Sequence, residues 1–132
     1  MFHRSSTTGC PSGEIQTWLR IGNYEKARAS AAEFQDIFGR ENFFLELMEH
    51  GLEIEARVRD GLLKLKDDLG LPVVATNDSH YVSPDDVEAH DALLCIGTGT
   101  TLGDPKRFKL DGGGYYIKSA KEKRELWEFQ LQ

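Results

Sequence analysis

Two short apolar runs flank one long amphipathic stretch in the middle of this chain, and that order admits few folds. Asn42-Phe43-Phe44-Leu45-Glu46-Leu47-Met48 is largely apolar and rich in aromatics, which predicts a buried strand. From Leu52 to Leu69, Ile54, Val58, Leu62, Leu65 and Leu69 recur at three- and four-residue steps, the spacing of one helix face. Glu53 with Arg57 and Glu55 with Arg59 have the spacing and orientation of helix-surface ion pairs. Gly70 stops that helix, and Leu71-Pro72-Val73-Val74-Ala75-Thr76 follows as a second strand. Strands joined through a helix pair in parallel, and the crossover is almost always right-handed. In parallel α/β architectures a ligand site lies beyond the carboxyl ends of the strands. Attention therefore falls on Glu49-His50-Gly51 and on Asn77-Asp78-Ser79-His80.

The flanking segments fill out an α/β chain. Cys10-Pro11-Ser12-Gly13-Glu14 predicts a helix start with Cys10 at the N-cap and Pro11 in the first turn, where its missing N–H costs nothing. That helix runs to about Ile21, and Gly22-Asn23 breaks it. Tyr24 to Phe38 forms a second, alanine-rich helix ending at Gly39. Ser83-Pro84-Asp85-Asp86 caps another, running to about Ile96. Phe108-Lys109-Leu110 and Tyr115-Tyr116-Ile117 are expected to pair as a small hairpin across Asp111 to Gly114. Ser119 with Glu122 has capping-box spacing and opens a last helix.

Composition narrows the classes of function. Hydrophobic residues make up 39% and charged residues 29%, which suits a globular segment. No apolar run nears the roughly 20 residues of a membrane helix, and no signal-peptide stretch opens the chain, so the cytoplasm is the expected compartment. The net charge of −6 lacks a dense basic block, which disfavours tight DNA binding by this chain alone. Handling DNA one end at a time through metal ions remains open.

Asp78-Ser79-His80 is the sharpest chemical signal: a carboxylate and an imidazole two residues apart, just past an apolar strand, can turn toward one ion. Oxygen and nitrogen donors of this kind suit Zn²⁺, Mn²⁺ or Fe²⁺. The bland alternative is an Asn-Asp-Ser turn beside a solvated histidine. Cys10, at a helix N-terminus, is either a thiolate ligand or a small side chain at a cap. Cys95, inside Ala92-Leu93-Leu94-Cys95-Ile96, is expected in the core. Glu49 and His50 could meet a phosphate or a metal-bound water, or simply form a turn with Gly51. His90-Asp91 is similar to the metal dyad of HD-type phosphohydrolases, but nothing around it supports that reading, and solvated helix surface is expected. Gly97-Thr98-Gly99 follows a helix and lacks a phosphate-loop lysine. His3 receives no role.

Five stretches, in order along nearly the whole chain, resemble the second half of the PHP domain of DNA polymerase III alpha subunits, in the actinobacterial style. They are Thr7 to Glu14, Asn42 to Gly51, Ala75 to Tyr81, Ala89 to Cys95 and Asp104-Pro105-Lys106-Arg107-Phe108. The resemblance implies part of a distorted (β/α)₇ barrel with parallel strands, followed by the C-terminal loop, hairpin and helix. It implies a cluster of up to three divalent metals, and it maps Cys10, Asp78 and His80 onto the last three ligands. It implies a 3′–5′ exonuclease or phosphoesterase activity in a subunit that makes DNA, with DNA and replisome subunits such as the sliding clamp as partners. The palm and fingers of such a polymerase are not in this sequence. Neither is the His-x-His pair that opens the family's ligand set, and His3 lies only seven residues before Cys10. The short lead Met1 to Ser6 is accordingly expected to be a truncated start, and the chain alone is expected neither to polymerise nor to degrade DNA. Two alternatives are a free-standing PHP phosphoesterase of the histidinol-phosphatase kind and a non-catalytic barrel remnant.

Overall fold

The computed structural model describes residues 4–130, and His3 lies outside them. The chain divides into two compact units, Met1–Thr76 and Asn77–Gln132. The first holds β1 (Ser6–Thr7), α1 (Glu14–Arg20), α2 (Tyr24–Phe38), β2 (Phe43–Leu47), α3 (Glu53–Leu69) and β3 (Val73–Ala75). The second holds a one-turn 3₁₀ segment at Pro84–Asp86, α4 (Val87–Thr98) and α5 (Ala120–Gln130).

The expected strand-helix-strand unit is present. β2 and β3 pair in parallel, with Leu45 opposite Val73 and Leu47 opposite Ala75. β2 is the central strand of three, because β1 pairs in parallel on its other edge, with Ser6 opposite Phe43. Phe43, Leu45 and Leu47 are buried while Phe44 and Glu46 are half-buried, the period-two signature of a pleated strand. Val58, Leu62 and Leu65 of α3 complete the core with Ile15 of α1 and Ala27 and Ala31 of α2. Phe34 and Phe38 of α2 set their rings 5.6 and 6.2 Å from that of Phe43. Gly70 ends α3 with φ 63°, and a Cβ there would lie 2.0 Å from the Arg40 guanidinium, whose Nε donates to the Gly70 carbonyl. The left-handed conformation favours glycine there, while the Arg40 side chain could swing aside from a Cβ.

Three local expectations are corrected. Cys10 is not an N-cap: α1 starts at Glu14 with Gly13 as its cap, and Cys10 and Pro11 lie in a preceding turn closed by Gly13 N–H donating to the Cys10 carbonyl. Phe108–Leu110 forms no strand with Tyr115–Ile117; Tyr116 instead bridges in parallel to Tyr81. The Glu53–Arg57 pair forms at 2.6 Å, but Glu55 does not meet Arg59. Glu55 is buried, and its carboxylate accepts from the backbone N–H groups of His50 and Leu52 and pairs with the His50 ring at 2.6 Å. Arg59 reaches Glu49 instead, at 3.3 Å. The N–H of the N-cap Leu52 and that of His50 just ahead of it thereby find an acceptor, which outweighs a surface pair worth a few tenths of a kcal/mol. Finally, β1 was not anticipated. Elsewhere the caps are as expected: Ser83 accepts from Asp85 N–H while Asp86 accepts from Ser83 N–H, and Ser119 and Glu122 exchange the same pair of bonds.

Burial alone pushes the Glu55 carboxyl up, but the hydrogen bonds from the His50 ring and backbone outweigh it and hold the pKa below the ordinary glutamate value. A depressed folded-state pKa contributes stability that is present above the unfolded value, about 4.3, and is lost as pH falls through the folded value. Glu55→Gln should therefore lose about 1–3 kcal/mol at neutral pH and show a shallower fall in stability below about pH 4.3 than the parent. Urea melts at a series of pH values test this, and parallel acid slopes for the two chains would sink it. In the same assay Leu65→Ala, at a site with no exposure, should cost about 2–5 kcal/mol. Ile37→Ala, at a site 63% exposed, should stay within about 0.5 kcal/mol, and similar losses for the two would contradict the core described above.

Candidate metal centre

The second unit begins with the segment that carries Asp78 and His80, and a buried amide fixes it. Asn77 is 5% exposed. Its side-chain nitrogen donates to the carbonyls of Gly114 and Tyr116, at 2.7 and 2.5 Å, and its oxygen accepts from Lys118 Nζ at 2.7 Å. Lys118 also donates to the Gly114 carbonyl, and burial pushes its pKa down. The backbone adds His80 N–H donating to the Tyr115 carbonyl at 2.8 Å, and Ser79 Oγ donates to Tyr116 O at 3.2 Å. Tied on both sides, Asp78 adopts φ 41°, and it is the only described non-glycine residue with positive φ. Asp tolerates this region better than most residues, and such conformations persist where the surroundings dictate them.

That turn brings Asp78 Oδ2 to 3.4 Å from His80 Nε2, with the two side chains 47% and 36% exposed. Two adjacent ligands on a tetrahedral ion, with bonds of about 2.0–2.1 Å, stand about 3.3–3.4 Å apart. An ion pair with a protonated imidazole has the same separation. The pair therefore fits two donors of a metal site: one oxygen, one nitrogen, both open to solvent. The His80 ring is steadied by edge contacts to His90 at 5.4 Å and Tyr115 at 5.6 Å.

Cys10 belongs to the first unit and is exposed. The Thr8–Gly9 turn just before it is held by Gln16, whose amide donates to Thr8 Oγ1 at 2.9 Å and to Gly9 O at 2.7 Å. Among the described residues, no group of three or more His, Cys, Asp or Glu side chains is placed to hold a metal ion. Glu49 accepts from Gly51 N–H at 2.9 Å and pairs with Arg59, while His50 is 6% exposed against Glu55. Cys95 is buried, as expected.

Two features escaped the sequence reading. Glu46 of β2 accepts from Thr7 Oγ1 and from Thr76 Oγ1, each at 2.5 Å, so one carboxylate ties together all three strands. A lone acid inside Phe-Phe-Leu-Glu-Leu was the signal that could have found it. His90-Asp91 is not plain solvated surface: Asp91 takes a bidentate bond from Arg107, whose side chain is 7% exposed, and that guanidinium holds the Asp91 carboxyl below the usual range.

No protein-family model matches the chain. Curated proteins do. The chain is 61% identical over 126 residues to the DNA polymerase III subunit alpha of Saccharopolyspora erythraea, a match that covers 96% of this chain and 11% of that protein. It is 59% identical over 125 residues to the subunit of the same name from Mycobacterium leprae, and 58% identical to that from Mycobacterium tuberculosis, each covering 95% of this chain and 11% of the relative. Nearly the whole of this α/β chain thus corresponds to one stretch, about a tenth, of those proteins. By homology it belongs with the DNA polymerase III alpha subunits, as a fragment of that family's longer chain.

Proposed function

We propose that this stretch is the second half of a PHP-type barrel within a replicative DNA polymerase alpha subunit, and that it supplies ligands for a metal-dependent 3′–5′ exonuclease. The observation that carries the reading is the 3.4 Å approach of Asp78 Oδ2 and His80 Nε2, at the metal-ligand separation, on a turn set by a buried asparagine. Cys10, from the turn after β1, is the third donor of the proposed set. A bound Zn²⁺, Mn²⁺ or Fe²⁺ ion there supplies Lewis-acid stabilisation of charge developing on a phosphodiester.

The chain's own residues bind and orient. Asp78 and His80 offer a carboxylate oxygen and an imidazole nitrogen without rearrangement, because Asn77 and the Tyr115 carbonyl hold the backbone between them. Glu49 and His50, at the carboxyl end of β2, are engaged by Arg59 and Glu55 and brace that turn. The parent subunit would act on DNA in the cytoplasm, among replisome partners bound by other parts of the polypeptide.

In a full-length alpha subunit carrying this stretch, Asp78→Ala should lower 3′-exonuclease turnover by at least about tenfold, because a lost carboxylate ligand weakens a charge worth several kcal/mol to hydrolysis. Bound metal, measured by mass spectrometry after dialysis, should fall in parallel, and primer extension should persist. Equal loss of cleavage and primer extension, with metal content unchanged and the fold intact by circular dichroism, would remove the assignment.

A further inference from the structure

We propose that the second unit carries a pocket for the terminal base of a single-stranded DNA 3′ end. This inference rests on the reading of Asp78 and His80 as the phosphodiester site. A cavity of about 250 Å³ opens between α4 and the glycine-rich segment that follows it. Tyr81, His90 and Tyr115 line it together with Arg107, Lys109 and Leu94. Its size is just below the roughly 300–1,000 Å³ of pockets that hold drug-sized ligands, so it suits one ring system and not a longer segment.

The chemistry of the walls selects a nucleobase. The rings of Tyr81 and His90 stand 5.4 Å apart and tilted, and Tyr115 is buried with its hydroxyl donating to Asp111 O. Aromatic walls hold any base by stacking, which tolerates sequence, while the Arg107 and Lys109 side chains offer hydrogen-bond donors to base edges or sugar. Arg107 is itself locked on Asp91, so its position in the wall is set before a ligand arrives. Location ties the cavity to cleavage. His90 and Tyr115 line the pocket and also touch the His80 ring, so a base seated there lies one side chain away from the Asp78–His80 pair. The sequence motifs His90-Asp91 and Asp104 to Phe108, which the metal site leaves unused, thereby acquire a joint role.

The test uses a full-length alpha subunit carrying this stretch, without divalent metal, and a single-stranded oligonucleotide ending in 5-iododeoxyuridine. After irradiation, peptide mapping should place adducts on residues 81–90 or 107–115, and an oligonucleotide with the iodinated base placed internally should give none there. Gly113 lines the cavity, and a Cβ built on it meets nothing within 4 Å, so Gly113→Phe adds bulk at the pocket wall from a position where a side chain can start. It should cut the terminal adduct by at least about fivefold, as should Tyr81→Ala, with both variants matching the parent in thermal midpoint. Terminal adducts found only elsewhere, or undiminished in both variants, overturn the pocket even if Asp78-dependent cleavage stands. Adducts mapped to the pocket in a subunit that shows no Asp78-dependent cleavage support base binding there and overturn the exonuclease reading instead.

Discussion

The parallel pairing of β2 with neighbours on both edges is the constraint on which the rest of the first unit depends. Parallel neighbours run the same way, so all three strands release the chain at one edge of the sheet. Within this unit the exits lead into Thr8 to Cys10 after β1, Met48 to His50 after β2, and Thr76 after β3. Glu46 sits near that edge and takes a hydroxyl from each flanking strand, a cross-tie that backbone pairing alone does not supply. A half-buried carboxylate is costly unless its lone pairs are used, and two threonine hydroxyls use them.

What was legible in the sequence was periodicity. β2, α3 and β3 follow from the apolar, aromatic run Asn42 to Met48, from the stripe of Val58, Leu62 and Leu65, and from the apolar run after the stop at Gly70, each a local pattern with one physical meaning. β1 was not legible because two residues, Ser6 and Thr7, carry no apolar alternation; their pairing is made by backbone groups that every residue has. The hairpin failed for a related reason. Asp111 to Gly114 is a credible turn, but strand pairing depends on which segment lies alongside, and Tyr116 found Tyr81, 35 positions away in sequence. Cys10 was misplaced by a rule that puts proline in the first helical turn, whereas this proline serves a separate turn ahead of the glycine cap.

The polar residues show the same division. Surface pairing at four-residue spacing held for Glu53 and Arg57, both exposed. It failed for Glu55, because a buried carboxylate answers to the unpaired N–H groups around it before it answers to a distant guanidinium. The Asp78–His80 pair was visible as a tripeptide; the Asn77 anchor, the positive φ and the 3.4 Å approach were not, since they depend on carbonyls some forty residues later.

Under the proposed reading, electrostatics would favour a metal over a purely side-chain phosphate site. The chain carries a net charge of −6, and on that reading a phosphodiester would approach the partly exposed Asp78 carboxylate. A second anion approaching that carboxylate meets repulsion unless a cation stands between them. Within the second unit, Arg107 is bonded to Asp91 and Lys118 to Asn77 and the Gly114 carbonyl, so neither can turn to a phosphate without breaking a structural contact. A divalent ion on Asp78 and His80 would resolve the conflict, because the carboxylate that repels a phosphate would then hold the charge that attracts it.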